Sequence, residues 1–524
     1  MKYDLDMNKI KWTDSKKGWK FCVGSGNAKL ALQSDYQAQL KYVHEELGFK
    51  RVRFHGLFND GLCVVREIDD IFNIQNTNSK IREYSFQQIA KVLDAVIETG
   101  VQPFIELGMM PRVLARDEVT LFKYKDYVSP PKEMEEWNEL IKRFINFIID
   151  RYGIEEVKEW YFEVWNEPDV KNFWSGTKEE YFELYKNTAI TIKSICSDLM
   201  VGGPSTAKTR WIDEFYEYCS NNNVPVDFIT THQYPGDALG HSFDRSKHAE
   251  KVKNAVAKDS ESILDVTRKI LCNEEKIKSY PSNLLVNNAI RAKNEAKELP
   301  LYYTEWNTTS ICVAPHNDTH MSAAYIVKTC LEADEIIDGS SFWTFSDIFE
   351  ELAYFTDPFN GAFGLLTIDG IEKPSFYAFK FLNDLGDKKY TIKSSDDHIH
   401  ISMYKKSDKI QIIITNHHFD MSDSSEEEYE FEFLNLGGIS NIVEKRINET
   451  DSNSYSKWLN MGMPKPLKKL EVAEIRESAR PKNYECNIIR YKNTIRLKGK
   501  IKSNETKLIT LEINRKEENK DENE

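Results

Sequence analysis

The chain of 524 residues lacks the motifs that would indicate several common cofactors. It has no HExxH zinc motif, no GxGxxG dinucleotide motif and no P-loop, so no metal, nucleotide or flavin is expected as a cofactor. Its eight cysteines are scattered singly, without a CxxC pair or the ligand spacing of a zinc site. This pattern predicts reduced, mostly buried thiols and no metal site.

Long apolar runs and an excess of basic residues are also missing. No stretch reaches the roughly 18 apolar residues of a membrane span, and residues 1–20 lack the apolar core of a signal peptide. The formal net charge of −14 argues against nucleic acid as a partner, because phosphate binding requires clustered Lys and Arg. The sequence therefore predicts a cytoplasmic protein, and its 40% hydrophobic content suffices for a large core.

What the sequence does contain is an alternation of strand and helix patterns. Amphipathic periodicity predicts helices over 85–99 and 135–151, and Gly100 stands where a helix end needs positive φ. Eight such units indicate a closed (β/α)8 barrel, although sequence alone leaves an open, doubly wound sheet as an alternative. The predicted buried parallel strands are 20–26, 49–56, 101–108, 160–168, 199–205, 226–234, 300–306 and 339–347.

After about residue 385 the apolar period changes to two. Tyr429, Phe431 and Phe433 alternate with glutamates, and other segments repeat the pattern up to Ile513. Alternation of this kind, with turns between the runs, predicts an antiparallel β-sandwich. The predicted organisation is therefore an N-terminal segment expected to join the sandwich (1–15), a catalytic (β/α)8 barrel (16–385), a β-sandwich (386–514) and a charged, disordered tail (515–524).

Two glutamates stand where barrel enzymes carry their reactive groups, at the carboxyl ends of strands. Predicted strand 4 ends in Trp165-Asn166-Glu167-Pro168, and predicted strand 7 ends in Thr304-Glu305-Trp306-Asn307. Surroundings that push two carboxyl pKa values apart suit glycosidic cleavage, in which one carboxyl is protonated and the other ionised. The alternative is that each Glu has only a structural role, capping a strand or pairing with Arg. The aromatic residues that flank both acids favour the catalytic role.

Longer stretches resemble a known family. The chain is similar to the barrel glycosidases whose catalytic acids lie on strands 4 and 7, and within them to glycoside hydrolase family 39 and its bacterial β-xylosidases. The matching stretches are CVGSG (22–26), RFHG (53–56), RYGIEEV (151–157), FEVWNEPD (162–169), VPVDFI (224–229), YTEWNTT (303–309), FWTFSDIFEE (342–351), GAFGLL (361–366) and KPSFYAFKF (373–381). The resemblance implies a barrel followed by a β-sandwich, and cleavage with retention of anomeric configuration.

The resemblance also implies roles for individual residues. Glu167 would be the general acid/base, Glu305 the nucleophile, and Asn166 a hydrogen-bond partner of the sugar 2-hydroxyl. Glu350, Glu351 or both would bind the outer hydroxyls. Independently of the resemblance, their negative charge should disfavour a uronic acid, and Arg53, two residues before His55, is the one basic residue left as a partner for such a carboxylate. The remaining residues expected to bind substrate are His55, His232 and Tyr234 at the pocket wall, Trp343 at its floor, and Phe122 and Tyr124 on a loop that closes it.

These implications leave alternatives open. The expected activity is an exo-acting β-D-xylosidase on oligosaccharides or aryl glycosides, and assembly into a homo-oligomer is expected by analogy. A β-glucosidase-like or α-L-iduronidase-like hydrolase, or a sugar-binding barrel without catalysis, are the competing readings. The chain departs from the family pattern at Thr231, at Trp306 and over the Lys- and Glu-rich segment 236–299, which leaves aglycone preference and oligomeric contacts undetermined.

Overall fold

A computed structural model describes residues 1–69, 80–239, 268, 272–351, 357–491 and 494–513. The predicted tail, 515–524, and much of the segment 236–299 lie outside these residues. Within the described ranges, no helix combines the length and the apolar character that a bilayer crossing requires.

Eight parallel strands close into a barrel, each paired with the next and the eighth with the first. This confirms the predicted (β/α)8 barrel over the open sheet, because closure requires the last strand to pair with the first. Barrel strands 1 to 8 are Cys22–Asn27, Arg51–His55, Gln102–Leu107, Tyr161–Val164, Met200–Thr206, Phe228–Gln233, Leu301–Trp306 and Gly339–Phe342.

Helices surround the barrel, and the two with the clearest periodicity form as predicted. They span Gln87–Glu98 and Met134–Tyr152, and Gly100 has φ +93° after the first. Among the described residues, the other α-helices of the barrel are Ser34–Leu47, Ile154–Val157, Lys178–Ile195, Ile212–Asn221, Glu274–Lys278, Leu284–Glu295, His320–Ala333 and Pro374–Asp384. Short 3-10 helices span Gly18–Lys20, Ala28–Leu32, Asp60–Leu62, Ala207–Thr209, Pro235–Leu239 and Pro315–Asp318, and hairpins pair Val65–Asp69 with Lys80–Tyr84 and Thr120–Leu121 with Asp126–Tyr127.

Two sheets follow the barrel and form the predicted β-sandwich around an apolar core. The N-terminal segment contributes Lys2–Asp6 to one sheet and Thr13–Asp14 to the other. The first sheet contains Lys2–Asp6, Glu426–Leu434, Thr494–Lys502 and Asn487–Tyr491; the second contains Ile439–Ile447, Thr506–Ile513, Lys409–Asn416, Ile399–Lys406, Lys388–Ile392 and Thr13–Asp14. Two helices that periodicity did not predict, Ser454–Asn460 and Lys469–Ser478, interrupt this region. The exact domain boundaries stay a prediction.

The barrel interior changes from apolar to charged along its axis. At the amino ends of the strands, aromatic rings fill the bore, and Phe21 stacks on Tyr302 with ring centroids 4.3 Å apart. Above them lies the fully buried Arg53 among the equally buried carboxylates of Glu106 and Glu163. A closed, apolar lower end directs the polar chemistry of the barrel towards the carboxyl ends of its strands.

Candidate active site

Glu167 follows barrel strand 4 in a backbone turn that few residues adopt. Trp165 and Glu167 have φ values of +70° and +46°, and the Glu167 N–H donates to the Ser205 carbonyl at 2.8 Å. The side chain of Trp165 is buried, and its indole N–H donates to the Phe173 carbonyl at 2.8 Å. Left-handed backbone in residues other than Gly is costly and is retained where a fixed geometry matters. The turn places the Glu167 carboxyl at the barrel mouth, with 12% of its side chain exposed.

Glu305 lies within barrel strand 7, where the pairing register shifts and sets it opposite His232 of strand 6. One carboxylate oxygen accepts a hydrogen bond from Arg53 Nη1 at 2.8 Å, and the other accepts one from the Tyr234 hydroxyl at 3.0 Å. Burial, and then the charge of Glu305, raise the pKa of Tyr234 well above its usual range, so that the hydroxyl keeps its proton as a donor. Both oxygens of Glu305 are therefore held in place.

The two candidate catalytic carboxyls are close together. One oxygen each from Glu167 and Glu305, with a ring nitrogen of His232, all lie within 4.8 Å of one another. His232 Nδ1 is 3.0 Å from Glu167 Oε1 and 3.7 Å from Glu305 Oε2. Three such atoms could also hold a cation, but the guanidinium of Arg53 beside Glu305 opposes a second positive charge there.

Burial affects the titration of these groups in different directions. It raises the pKa of Glu167 to about 7, against the smaller opposing charges of His55 and Arg53. It lowers the pKa of His232 to about 4, so this ring is neutral near pH 7. Because burial disfavours the charged form of each group, Glu167 retains a proton up to neutral pH and His232 does not acquire one.

Arg53 connects the residues of the site, although sequence reasoning treated it only as a nearby cation. Its guanidinium is fully buried, and burial alone would lower its pKa, but the surrounding carboxylates hold that pKa above its usual range. Arginine offers five N–H donors in a rigid fork, which suits contact with several acceptors at once. Its partners are Glu163 at 2.6 Å, Glu305 and Asn166 at 2.8 Å, Glu106 at 3.1 Å and Ser205 at 3.3 Å.

His55 and Trp343 pack against each other within the site. His55 Nδ1 lies 2.6 Å from Glu106 Oε2, and its ring centroid is 4.7 Å from that of Trp343. Burial would lower the pKa of His55, but Glu106 and Glu351 raise it to about 9. A Cβ atom on Gly24 would lie only 2.5 Å from the Trp343 ring, so the CVGSG glycine is needed for this indole to fit.

Two loops meet at the outer rim. The Glu350 carboxylate accepts hydrogen bonds from Lys123 at 3.0 Å, Tyr124 at 3.2 Å and Gln33 at 3.3 Å. Phe122 is half-buried, with its ring 6.4 Å from that of His55. The loop after strand 3 is therefore joined to the loop after strand 8, beside the pocket.

Glu350 and Glu351 differ from the expected pair of free carboxylates. Lys123 compensates the charge of Glu350, and its hydrogen bonds hold the pKa of that carboxyl below its usual value although burial opposes this. Glu351 is buried, and burial raises its pKa well above the usual range. The expected repulsion of a uronic acid by these two residues is therefore weakened, because Lys123 pairs with Glu350 and burial disfavours the charged form of Glu351.

The structure also shows which polar atoms remain available. Asn166 Oδ1 is fixed by Arg53, while the buried Asn166 Nδ2 has no hydrogen-bond partner among the described residues.

Glu106, Glu163 and Asp126 were missed by sequence reasoning. Glu106 and Glu163 carried a usable signal, a carboxylate inside an otherwise apolar barrel strand. Asp126 begins the short strand Asp126–Tyr127 after barrel strand 3, where no sequence pattern indicated its burial.

The chain is similar to proteins of one known family. The sequence profile described as Glycosyl hydrolases family 39 matches residues 2–494. A β-xylosidase from Caldicellulosiruptor saccharolyticus is 39% identical over 463 residues, covering 88% of each chain. One from Geobacillus stearothermophilus is 34% identical over 470 residues, covering 89% of this chain and 87% of that protein. A crystal structure of a monomeric β-xylosidase from Caulobacter crescentus superimposes with a TM-score of 0.78 at 28% identity, covering 98% of this chain and 99% of that one.

Proposed function

Because this chain belongs to glycosyl hydrolase family 39 and is thus an O-glycosyl hydrolase, we propose that it is a retaining, exo-acting β-D-xylosidase with Glu167 as acid/base and Glu305 as nucleophile. The observation that carries the proposal is the approach of these two carboxyls to within 4.8 Å. Retaining glycosidases have their carboxyls about 5–5.5 Å apart, whereas inverting enzymes need about 6.5–9.5 Å to admit a water molecule.

In the first half-reaction, Glu305 attacks the anomeric carbon while Glu167 gives its proton to the leaving oxygen. The C–O bond to the leaving group breaks as the bond to the Glu305 oxygen forms. Arg53 and Tyr234 hold the nucleophile in one orientation, which favours a near-attack geometry. The pKa of Glu167, raised by burial to about 7, keeps it protonated for this step.

In the second half-reaction, Glu167 acts as a base. It now carries no proton, and it removes one from the water molecule that attacks the same anomeric carbon and releases Glu305. A group with a pKa near the working pH can serve both as acid and as base, and the pKa of Glu167 at about 7 supports this double role. Two displacements at one carbon restore its original configuration.

The preference for xylose rests on two observations. Two relatives that cover most of the chain are described as β-xylosidases. In addition, Arg53, the one basic residue that the sequence left available for a substrate carboxylate, is fully buried and engaged with Glu163 and Glu305. A uronic acid would therefore meet carboxylates without an answering cation from Arg53. A neutral pentopyranoside fits better.

Three further expectations belong to this proposal. The oxygens of both candidate catalytic acids face the same site, which favours an active enzyme over a barrel that only binds sugar. We expect the protein to act in the cytoplasm, which fractionation of the source cells would test. Assembly into a homo-oligomer stays a prediction that sedimentation can decide, and the related enzyme from Caulobacter crescentus is described as monomeric.

The stereochemical course of hydrolysis tests the mechanism directly. Proton NMR should follow the anomeric signal of the first sugar released from a nitrophenyl β-xyloside. We expect β-xylose to form first and the α anomer to grow in only by mutarotation. If the α anomer forms first, the enzyme inverts and the assignment of Glu305 as nucleophile fails.

A further inference from the structure

The hydrogen bonds around His232 indicate a role beyond lining the pocket. We propose that His232 is a positioning residue that donates from Nδ1 to Glu167 Oε1 and so confines the catalytic proton of Glu167 to Oε2. This inference rests on the proposed function, in which Glu167 is the acid/base. It assigns separate tasks to the two oxygens of one carboxyl.

The tautomer of His232 follows from the partners of Ser205. Arg53 Nη2 lies 3.3 Å from Ser205 Oγ, and Arg53 can only donate. Ser205 Oγ is also 3.3 Å from His232 Nε2. If Nε2 carried the ring proton, the Ser205 hydroxyl would accept twice, and its own hydrogen would have no acceptor among the described residues. Because buried donors are almost always paired, Ser205 donates to Nε2 and the ring proton is on Nδ1.

A neutral imidazole is required for this arrangement, since a doubly protonated ring could not accept from Ser205. Burial lowers the pKa of His232 to about 4. The charged groups that face it are Glu305 and Glu163, which favour the protonated ring, and Arg53 and His55, which disfavour it. The ring is fully buried, with its Nδ1 aimed at Glu167 Oε1 at 3.0 Å.

The consequence for Glu167 is a difference between its oxygens. Oε1 accepts a hydrogen bond from the Nδ1–H of His232. A proton on Oε1 could therefore not be directed at Nδ1. Oε2 has no hydrogen-bond partner among the described residues, and the side chain is 12% exposed at the mouth. A proton on Oε2 can therefore reach a leaving oxygen. With the other tautomer, Glu167 would donate to Nδ1 and hold its proton away from the substrate.

A double-mutant cycle tests this chain of hydrogen bonds. In Ser205→Ala, Nε2 loses its donor and the ring can change tautomer, so that protonated Glu167 donates to Nδ1. We expect the alkaline limb of kcat/KM to move up by roughly one pH unit, because the carboxylate loses a stabilising donor. We also expect kcat/KM to fall about tenfold more for an alkyl xyloside than for a dinitrophenyl xyloside, which needs little protonation.

The matched variant is His232→Asn, whose amide N–H can stand near the position of Nδ1–H and has no tautomer to select. In this background, Ser205→Ala should leave the alkaline limb and the ratio of the two substrates unchanged. Equal effects of Ser205→Ala in both backgrounds would overturn the proposal, because Ser205 would then act through Arg53. Circular dichroism of each variant checks folding.

Nitrogen-15 NMR of histidine-labelled wild-type protein reads the tautomer without any substitution, with His232→Asn identifying the resonance. We expect a neutral ring protonated on Nδ1 at pH 7, and protonation on Nε2 overturns the proposal. This result does not depend on turnover. Failure of the proposed function would instead appear as inverted product or as no hydrolysis of any glycoside by the wild type.

Discussion

Arg53 Nη1 lies 2.8 Å from Glu305 Oε1, and its Nη2 lies 2.8 Å from Asn166 Oδ1. One rigid guanidinium therefore fixes both the nucleophile and the asparagine that precedes the acid/base. With Asn166 Oδ1 held by Arg53, Nδ2 remains as the donor that can meet a sugar hydroxyl. Arg53 is fully buried, so solvent does not weaken these contacts. Barrel strands 2, 4 and 7 are thereby joined at the site of reaction.

We predict that truncating the two glutamates has different effects. Glu305→Gly should abolish turnover of every substrate, because no covalent intermediate can form. Glu167→Ala should still form the glycosyl-enzyme from aryl glycosides with good leaving groups, which need no proton. Hydrolysis of that intermediate would then limit the rate, and added azide should accelerate it. Stopped-flow detection of the released phenol measures the burst.

The control for this comparison is the activity on an alkyl xyloside, which needs the acid and should be lost in both variants. Glu305→Gly is expected to show no burst with a dinitrophenyl xyloside. If Glu167→Ala also shows none, the division of roles between the two glutamates is incorrect.

The second prediction concerns pH. Burial raises the pKa of Glu167 to about 7, and the acid must be protonated for the first half-reaction. We therefore expect kcat/KM to fall as pH rises through about 7. The limb describes the coupled carboxyl pair of the free enzyme. Glu167→Gln should lose this limb when assayed with a dinitrophenyl xyloside. Retained activity with an unchanged alkaline limb would contradict the assignment.

The barrel could be predicted because its strands and helices follow strong local patterns. All eight strands lie within or within one residue of their predicted positions, and the helix Met134–Tyr152 spans the predicted range 135–151. The helices Ser454–Asn460 and Lys469–Ser478 were missed because they are short and stand inside a region with strand periodicity. Their contacts with Phe359 and Ile371 are long-range and leave no local signal.

From the residues alone, the site could be predicted only where side chains lie at strand ends, and the loop residues Phe122, Tyr124, Glu350 and Glu351 were expected from the family resemblance. Glu167 and Glu305 were found by this rule, and the roles assigned to them stay proposals. Ionisation states could not be read from residue type, because they depend on neighbours distant in sequence. Burial raises the pKa of Glu351 well above its usual range, and the pKa of His55 is raised because the ring faces Glu106.

The third prediction concerns stability. Lys373 is fully buried, and its Nζ lies 2.6 Å from Asp318 Oδ1 and 2.8 Å from Asp347 Oδ2. Lys373→Met should lower the free energy of unfolding by about 3–5 kcal/mol, because two buried carboxyls lose their cation. Burial raises the pKa of Asp347 to about 7 even beside Lys373. Without Lys373, Asp347 should take up its proton at a still higher pH, so the loss should be larger above pH 7 than at pH 7, which urea titration at both pH values can measure.

Lys380→Met is the matched control for that variant. Lys380 lies on the helix Pro374–Asp384, which Lys373 immediately precedes. Lys380 pairs with Glu46 at 2.6 Å, but 32% of its side chain is exposed. A partly exposed ion pair contributes about 0.2–1 kcal/mol. If the two substitutions lower the free energy of unfolding equally, the buried cluster stabilises the fold no more than the partly exposed ion pair does.

The last prediction is the substrate ranking: β-xyloside first, then β-glucoside, then α-L-iduronide, by kcat/KM of their nitrophenyl glycosides. Arg53 is already paired with Glu163 and Glu305, and His55 is paired with Glu106. A uronate carboxylate would be desolvated beside these three glutamates, and repulsion between like charges would cost several kcal/mol. A faster iduronide would contradict this argument. A faster glucoside would contradict only the assumption that the pocket excludes the hydroxymethyl group of glucose. One such group changes binding by about 1–3 kcal/mol.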